Sequence, residues 1–262
     1  MGLNAHNEYN CQIIKVLGHI NDPGVDVLCI MAKHNINDAF PQDVMEQVEK
    51  EIPSYVSEEE IKERLSKTGK DLRDEVIFTI DDDDTKDIDD AISIEKLANG
   101  NYKLGVHIAD VSYYVKENSP LDKEALERGT SVYLADRVTP MLPHELSNGI
   151  CSLNPNVDRF AISCIMEINS NGDVVDYEIF DSIIRSRIQM TYKKVNQVIE
   201  DNVIPEGYEP FADKLRLMKE LAQILRANKT RKGYIDFDID EAKVIVDENG
   251  EAIDVVLSLI HI

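Results

Sequence analysis

Apolar and polar positions divide the first part of the chain into short elements. Apolar residues fill much of 11–31, which the pattern predicts as strands joined by an Asn-Asp-Pro-Gly turn at 21–24. Apolar residues four apart predict a helix over 41–50. A second helix is predicted to begin at the capping box Ser57-Glu58-Glu59-Glu60 and to end at Gly69. Two short helices with largely polar surfaces are typical of a connector between two units.

Strands dominate the pattern from residue 76 onward. Turns at Asn99-Gly100 and at 169–172 join two pairs of strands as hairpins. The segment 109–160 between them contains four prolines and has a less regular pattern, which is typical of a functional loop region. Apolar residues three and four apart predict an amphipathic helix over 211–228. Because helices and strands do not alternate regularly, we expect an α+β fold. The predicted strands are 76–80, 91–95, 102–108, 161–168 and 174–182.

The composition is that of an ordinary globular protein. Of the 262 residues, 43% are hydrophobic and 30% are charged, which excludes a disordered chain and allows one large domain or two small ones. No apolar run approaches the roughly 18 residues of a membrane span, and the N-terminus lacks the pattern of a signal peptide. We therefore expect no membrane partner.

The four cysteines occur singly, without a C-x-x-C pair. This spacing disfavours a structural zinc site or a disulfide framework and favours the reducing environment of the cytoplasm, so we expect a cytoplasmic protein. Three of the cysteines lie in apolar runs, where thiols are commonly buried. The four are Cys11, Cys29, Cys151 and Cys164, and all but Cys11 lie in such runs.

The net charge of −22 argues against a general polyanion-binding protein. Any contact with nucleic acid must then be local. It requires either a small basic groove or metal ions that neutralise carboxylates beside a phosphate.

The most unusual part of the sequence is an aspartate cluster. Residues 80–92 read Ile-Asp-Asp-Asp-Asp-Thr-Lys-Asp-Ile-Asp-Asp-Ala-Ile, with seven aspartates in ten positions. Like charges about 5 Å apart repel by about 3 kcal/mol at an effective dielectric near 20, so the cluster needs full solvation or a cation. One interpretation is a solvated acidic loop. The other, favoured by the apolar strands on both sides, is a site for a hard cation such as Mg²⁺ or Ca²⁺.

The spacing of the cluster excludes an EF-hand calcium loop. Counted from Asp81, Lys86 falls where glycine is required, and Ile92 falls where the bidentate glutamate belongs. The remaining specific hypothesis is metal-assisted phosphoryl chemistry, in which carboxylates hold one or two Mg²⁺ ions.

The aspartate spacing resembles the motif of the RNB family, which comprises ribonuclease II and ribonuclease R. Asp81 is followed by Thr85, Asp87, Asp89 and Asp90 at the family's intervals. Further motifs follow in the family's order, and their wording is nearer to ribonuclease R than to ribonuclease II. These motifs are Asp71-Leu72-Arg73-Asp74, Val106–Ser112, Ser119–Asp122, Arg128–Tyr133, Pro140–Pro143 and Leu146–Pro155.

This resemblance implies a magnesium-dependent, processive 3′-to-5′ exoribonuclease that hydrolyses single-stranded RNA to nucleoside 5′-monophosphates. It also implies that Asp89 is the most rate-critical of the carboxylates. Tyr133 matches an aromatic residue that packs on the base at the RNA 3′ end, although a core tyrosine is its alternative interpretation. We expect a monomer that binds the 3′ end of single-stranded RNA. The metal-binding and catalytic carboxylates implied by the match are Asp81, Asp87, Asp89 and Asp90.

Other polar residues have ordinary structural interpretations. Asp82–Asp84 match no required position and are interpreted as solvated loop charges. His107 alternates with apolar neighbours on a predicted strand, which favours a structural role over catalysis. Arg185 and Arg187 share a strand face and either meet phosphate or form surface ion pairs. The basic stretch 226–232 complements a helix dipole.

The resemblance also predicts a domain order. Residues 1–36 resemble the end of the OB-type cold-shock domain that precedes the catalytic domain, with too few strands to close a barrel, so we expect a remnant. Residues 37–70 are the helical connector, 71–256 the N-terminal part of an RNB-type catalytic domain, and 257–262 an apolar tail that does not align. We expect that tail not to be native family sequence. We also expect little or no activity from the isolated chain, because the family's phosphate-contacting arginine and C-terminal RNA-binding domain are not found in it.

Two other classes of function remain open from the sequence. One is an acidic cation- or protein-binding module whose aspartates only chelate. The other is a catalytically silent RNA-binding relative. Release of mononucleotides, retention of RNA without cleavage, or neither would separate the three.

Overall fold

The computed structural model describes residues 12–67, 69–135, 137–235, 240–247 and 252–259. They form two compact units. The larger unit comprises Phe40–Thr130 and Pro140–Phe237. The smaller unit comprises the described residues before Phe40, the segment Ser131–Thr139 and the described residues after Phe237.

The described elements mix helices and strands, as the sequence predicted. The α-helices are α1 (Val25–Lys33), α2 (Gln42–Glu51), α3 (Glu58–Lys67), α4 (Val111–Tyr114), α5 (Pro120–Arg128), α6 (Tyr192–Ile199) and α7 (Ala212–Arg231). A π-helical turn spans Glu145–Ile150 and a 3-10 turn spans Glu209–Phe211. The strands are β1 (Lys70–Asp71), β2 (Thr79–Asp81), β3 (Asp90–Lys96), β4 (Tyr102–Ala109), β5 (Val132–Tyr133), β6 (Val138–Thr139), β7 (Arg159–Ile168), β8 (Val174–Ile184), β9 (Gln189–Thr191), β10 (Asp240–Val246) and β11 (Ala252–Leu259).

A five-stranded sheet in the order β1-β8-β7-β4-β3 forms the centre of the larger unit. Its pairings are antiparallel except for the short parallel contact of β1 with β8. Both predicted hairpins are confirmed. Gly100, at φ 86°, turns β3 into β4, and Gly172, at φ 81°, turns β7 into β8, both in the left-handed region that favours glycine. The antiparallel order confirms the α+β class.

Helices cover the two faces of this sheet. On one face, Ile94, Tyr102 and Ile168 pack against Leu221 of α7, which confirms the predicted amphipathic helix. On the other face, a larger core collects apolar residues from the sheet and from α2, α3, α5 and the π-helical turn. Burial of these apolar side chains is the main favourable term in folding the unit.

The two predicted connector helices are confirmed as α2 and α3. The Ser57 backbone N–H donates to Glu60 Oε2 at 2.9 Å, and the Glu60 N–H donates to Ser57 Oγ at 3.3 Å, which is the predicted capping box. Arg64 of α3 reaches the sheet, where its Nη2 donates to Asp110 Oδ2 at 2.8 Å and to the Ala161 carbonyl at 2.9 Å. These contacts fasten α3 to the sheet.

In the smaller unit, the strand prediction over 11–31 is wrong. Its described part, 12–31, contains no strand, and Val25–Lys33 forms helix α1. The predicted turn is present, and it leads into the helix through Gly24 at φ 76°. Val25 and Met31 are buried while Ile30 is half-exposed, so the short apolar run has one buried helical side. Short apolar runs do not distinguish helix from strand by periodicity alone.

The predicted irregular segment 109–160 contains more regular structure than its pattern suggests. It holds α4, α5, the π-helical turn and the β5–β6 hairpin, which belongs to the smaller unit. Ser119 Oγ accepts from the Asp122 N–H at 3.1 Å and caps α5, whose first residue is a proline.

The structure also tests the predictions about buried cysteines and membrane spans. Cys151 is buried and Cys164 is partly buried, but Cys29 is exposed on α1, so the expectation of a buried thiol is wrong there. Cys11 lies outside the described residues. Among the described helices, none combines the length and the apolar character needed to cross a membrane.

Candidate metal and catalytic site

The aspartate cluster lies where two strands of the larger unit come together. Asp81 is the last residue of β2 and Asp90 is the first residue of β3. Phe78 and Ile92 exchange both backbone hydrogen bonds, at 3.0 and 2.9 Å, and so join the two strands just before and after the cluster. β2 also pairs in parallel with β9, where Asp81 is opposite Thr191. The acidic loop therefore begins and ends on fixed backbone.

The loop itself, residues 82–89, is held by contacts from distant parts of the chain. Gln189 donates its side-chain amide to the Thr85 carbonyl at 3.0 Å. The Ala109 N–H donates to the Asp89 carbonyl at 2.9 Å, which extends the pairing of β4 along β3. An open depression of about 610 Å³ borders the loop. It is lined by Asp83, Asp84, Thr85, Lys86, Gln189 and Thr191.

Burial and mutual repulsion alter the acidity of the cluster. Partial burial, followed by the charge of Asp90 and then of Asp87 and Asp89, raises the pKa of Asp81 to about 6, although the Thr79 side chain lowers it in part. The pKa of Asp89 is also raised, by burial and by the charges of Asp87 and Asp90. These shifts mean that the four carboxylates predicted from the sequence lie within electrostatic reach of one another.

One carboxylate oxygen is buried without a hydrogen bond of good geometry. This oxygen is Asp81 Oδ2, and the neighbouring Thr79 Oγ1 is in the same position, although the Thr79 side chain is close enough to lower the Asp81 pKa. An unpaired buried oxygen costs free energy, and a hard cation is the ligand that carboxylate oxygens suit. The chemistry of the donor set therefore fits Mg²⁺. Over the described part of the chain, however, no three acidic, histidine or cysteine side chains converge closely enough to form a ready metal cluster.

The other loop aspartates match no required motif position, and their exposure does not separate them from Asp89 and Asp90, which are also exposed. Asp82, Asp83 and Asp84 are all exposed, as expected for solvated loop charges. The sequence reasoning did not single out Tyr192, the first residue of α6. Burial, and then the charges of Asp81, Asp90 and Asp82, raise the pKa of its hydroxyl, which therefore lies within electrostatic range of the cluster. Its position follows from the β2–β9 pairing, for which the sequence pattern gave no signal.

Tyr133 lies on β5, in the smaller unit, whereas the aspartates belong to the larger one. Its side chain is 68% exposed, which rules out the alternative interpretation as a core tyrosine. Most of the Tyr133 side chain is therefore exposed to solvent.

The remaining polar residues have structural partners. His107 is fully buried, with Nδ1 2.7 Å from Ser163 Oγ and Nε2 3.1 Å from Ser93 Oγ, and burial lowers its pKa to about 4. A neutral, enclosed imidazole agrees with the predicted structural role. Arg185 forms an ion pair with Asp158 at 2.7 Å, and Arg187 donates to the Arg73 carbonyl at 2.8 Å. The contact of Arg185 favours the ion-pair interpretation, whereas Arg187 donates to a backbone carbonyl and supports neither interpretation.

Comparison with known families gives the class of protein. A profile described as the RNB domain matches residues 69–258, and a cold shock domain profile matches residues 4–41. The RNB match covers most of the chain and includes the whole aspartate cluster. The chain belongs to the RNB-domain family.

The relatives within this family carry the name ribonuclease R. The chain is 52% identical to ribonuclease R 1 of Lactococcus lactis over 93% of its length, and 50% identical to ribonuclease R of Thermotoga maritima over 94%. Among solved structures, it matches Mycoplasma genitalium RNase R in complex with ribose-methylated single-stranded RNA, with a TM-score of 0.86 and 30% identity over 94% of this chain. The chain spans only 29% and 34% of the two curated relatives and 37% of the solved chain.

Proposed function

We propose that this chain carries the carboxylate part of the active site of a 3′-to-5′ exoribonuclease that releases nucleoside 5′-monophosphates from single-stranded RNA. The observation that carries the proposal is the environment of Asp81. Its buried oxygen without a hydrogen bond of good geometry and its raised pKa, within an RNB-domain match, support a site for a divalent cation. The RNA complex of the Mycoplasma relative supports RNA as the substrate class.

Four residues would hold the metal in this proposal: Asp81, Asp87, Asp89 and Asp90. Bound Mg²⁺ supplies Lewis-acid polarisation of the phosphate and lowers the pKa of a coordinated water. The protein's part is to hold the carboxylates in position for the metal. The Phe78–Ile92 pairing of the strand backbones holds Asp81 and Asp90 in place. The hydrogen bond from the Ala109 N–H to the Asp89 carbonyl holds the backbone of Asp89.

Tyr133 has a proposed role in binding and not in the chemical step. Stacking of a base on an aromatic ring contributes about 1–3 kcal/mol and tolerates every base, which suits an enzyme that removes each nucleotide in turn. Tyr133→Ala should therefore lengthen the shortest end product while the first cuts on long RNA stay unchanged. Tyr177→Ala is the matched control, because Tyr177 is 65% exposed on β8. An end product of unchanged length in Tyr133→Ala would count against stacking.

The activity is tested in a chimera in which this chain replaces the matching segment of Lactococcus lactis ribonuclease R 1. With 5′-labelled single-stranded RNA and Mg²⁺, we expect products shortened stepwise from the 3′ end and release of nucleoside 5′-monophosphates. Asp89→Asn should slow release by at least about a hundredfold, while Asp83→Asn, an exposed neighbour, should leave it unchanged. The chain by itself, at a net charge of −22, should bind RNA weakly and turn over far more slowly than the chimera.

Three outcomes would contradict the proposal in different ways. Release that survives Asp89→Asn removes this residue from the mechanism. A chimera that retains RNA without shortening it is a catalytically silent RNA-binding protein. A chimera that binds Mg²⁺ but neither retains nor cleaves RNA is an acidic chelating module.

A further inference from the structure

The segment between β2 and β3 carries two of the proposed metal ligands without regular structure of its own. Residues 82–89 form neither helix nor strand, yet Ile88 within them is fully buried. A metal site needs its ligands held in direction as well as in place. Some other part of the chain must therefore fix the peptide groups around Asp87.

Ser152 contacts the peptide groups on both sides of Asp87. Its Oγ donates to the Lys86 carbonyl at 2.7 Å and accepts from the Ile88 N–H at 3.1 Å. The next residue, Leu153, donates its N–H to the Ile88 carbonyl at 2.9 Å. Ser152 is fully buried, so water does not compete for these bonds. One hydroxyl thus fixes the orientation of the two peptide planes from which the Asp87 side chain projects.

Arg159 holds Ser152 in turn. This first residue of β7 is buried, and its guanidinium donates to the carbonyls of Ser152, Gly149 and Asp158 at 2.8, 3.1 and 3.0 Å. Burial lowers the pKa of Arg159, which reflects the cost of enclosing this cation. Its planar fork of donors gives a fixed geometry that a flexible ammonium does not. The contacts run from the central sheet through Arg159 and Ser152 to the aspartate loop.

We propose that Ser152 is a positioning residue for the metal site, acting through the backbone of Lys86 and Ile88 on the direction of Asp87, with Arg159 as its support. The inference rests on the proposed function, because it assumes that Asp87 is a metal ligand. It assigns a role to part of the motif Leu146–Pro155. Residues that orient metal ligands typically change metal affinity or activity by 10–100-fold when they are replaced.

The test is Mg²⁺ binding to the 262-residue chain, measured by calorimetry without RNA, alongside the melting temperature in EDTA. Ser152→Ala should weaken Mg²⁺ binding by about tenfold or more. Ser182→Ala is the matched control. Ser182 is also fully buried and donates to the Ala161 carbonyl at 3.1 Å, but its partners lie within the sheet. It should lower the melting temperature and leave Mg²⁺ affinity unchanged.

Two further variants keep the inference testable if Ser152→Ala does not fold. Ser152→Thr retains the hydroxyl and should retain Mg²⁺ affinity even where the extra methyl group lowers the melting temperature. Arg159→Lys keeps the charge but loses the fork, and should give an intermediate loss of affinity at near-constant charge.

The outcomes separate this inference from the proposed function. Equal Mg²⁺ affinity in Ser152→Ala and the unaltered chain, with only a lower melting temperature, would make Ser152 merely structural and overturn the inference alone. Equal losses in Ser152→Ala and Ser182→Ala would also overturn it. No Mg²⁺ binding by the unaltered chain, or binding that is unaffected by Asp89→Asn, would overturn the metal site and the inference with it.

Discussion

Removing the charge of Asp81 should stabilise the metal-free protein. The rise of its pKa from 3.8 to about 6 corresponds to about 3 kcal/mol, at 1.36 kcal/mol for each pKa unit. Because the residue is only partly buried, solvent screening reduces this penalty to about 1–2 kcal/mol. A carboxyl whose pKa is raised in the folded state binds its proton more tightly there. The unfolding free energy therefore falls as pH rises from about 4 to about 6, and the penalty is fully present above that range.

The assay is urea unfolding of the metal-free protein in EDTA at pH 4.5, 6.0 and 7.5. The unfolding free energy of Asp81→Asn should exceed that of the unaltered protein by about 1–2 kcal/mol at pH 7.5, and by much less at pH 4.5. Asp83→Asn, which alters an exposed carboxyl in the same loop, should change little at any of the three values. Taking the difference between variants cancels other titrating groups. If Asp81→Asn is destabilised at pH 7.5, or its advantage does not depend on pH, the reasoning from burial and repulsion is wrong.

Three smaller predictions concern the framework around the site. Burial lowers the pKa of His107 to about 4, so NMR should show a neutral imidazole down to about that pH. The contribution of His107 to the unfolding free energy should be lost as pH falls from about 6.5 towards 4. Protonation near pH 6.5 would contradict its burial. Arg64→Ala leaves Asp110 buried without its cation and should lower the unfolding free energy by about 3–5 kcal/mol in urea, whereas a loss below about 1 kcal/mol would mean that the pair is effectively solvated. Ser57→Ala removes the cap that faces Glu60 and should cost about 1 kcal/mol in the same measurement, with no loss if water replaces it.

Features that depend on neighbouring residues were predictable from the sequence. The capping box at Ser57, the hairpin turns at Gly100 and Gly172 and the amphipathic stripe of α7 each depend on chemistry within a few residues, and each is confirmed. The same local reasoning was wrong for α1. The nine residues Val25–Lys33 do not show by themselves which side chains are buried. The pattern of buried side chains is what distinguishes a helix from a strand in so short a segment.

Features of the site that depend on distant pairing were not predictable. Ser152 is 64 positions from the Ile88 N–H that it accepts from, and Gln189 is 104 positions from the Thr85 carbonyl. The nearness of Tyr192 to the aspartates likewise follows from the parallel β2–β9 pairing. A local pattern identifies the acidic residues. Only the folded sheet determines which of them become buried and interact electrostatically with one another.

The large negative charge is distributed in a way that bears on the metal. Away from the motif, Asp71 of the larger unit has a paired cation: Arg73 lies 2.6 Å from it and lowers the pKa of that carboxyl. Asp81 shows the opposite shift, although it belongs to the same unit, so its surroundings do not compensate its charge. A cation that binds beside Asp81 would therefore gain free energy by compensating this charge. Mg²⁺ should consequently stabilise the protein most above about pH 6, where Asp81 is ionised, and much of that gain should vanish in Asp81→Asn.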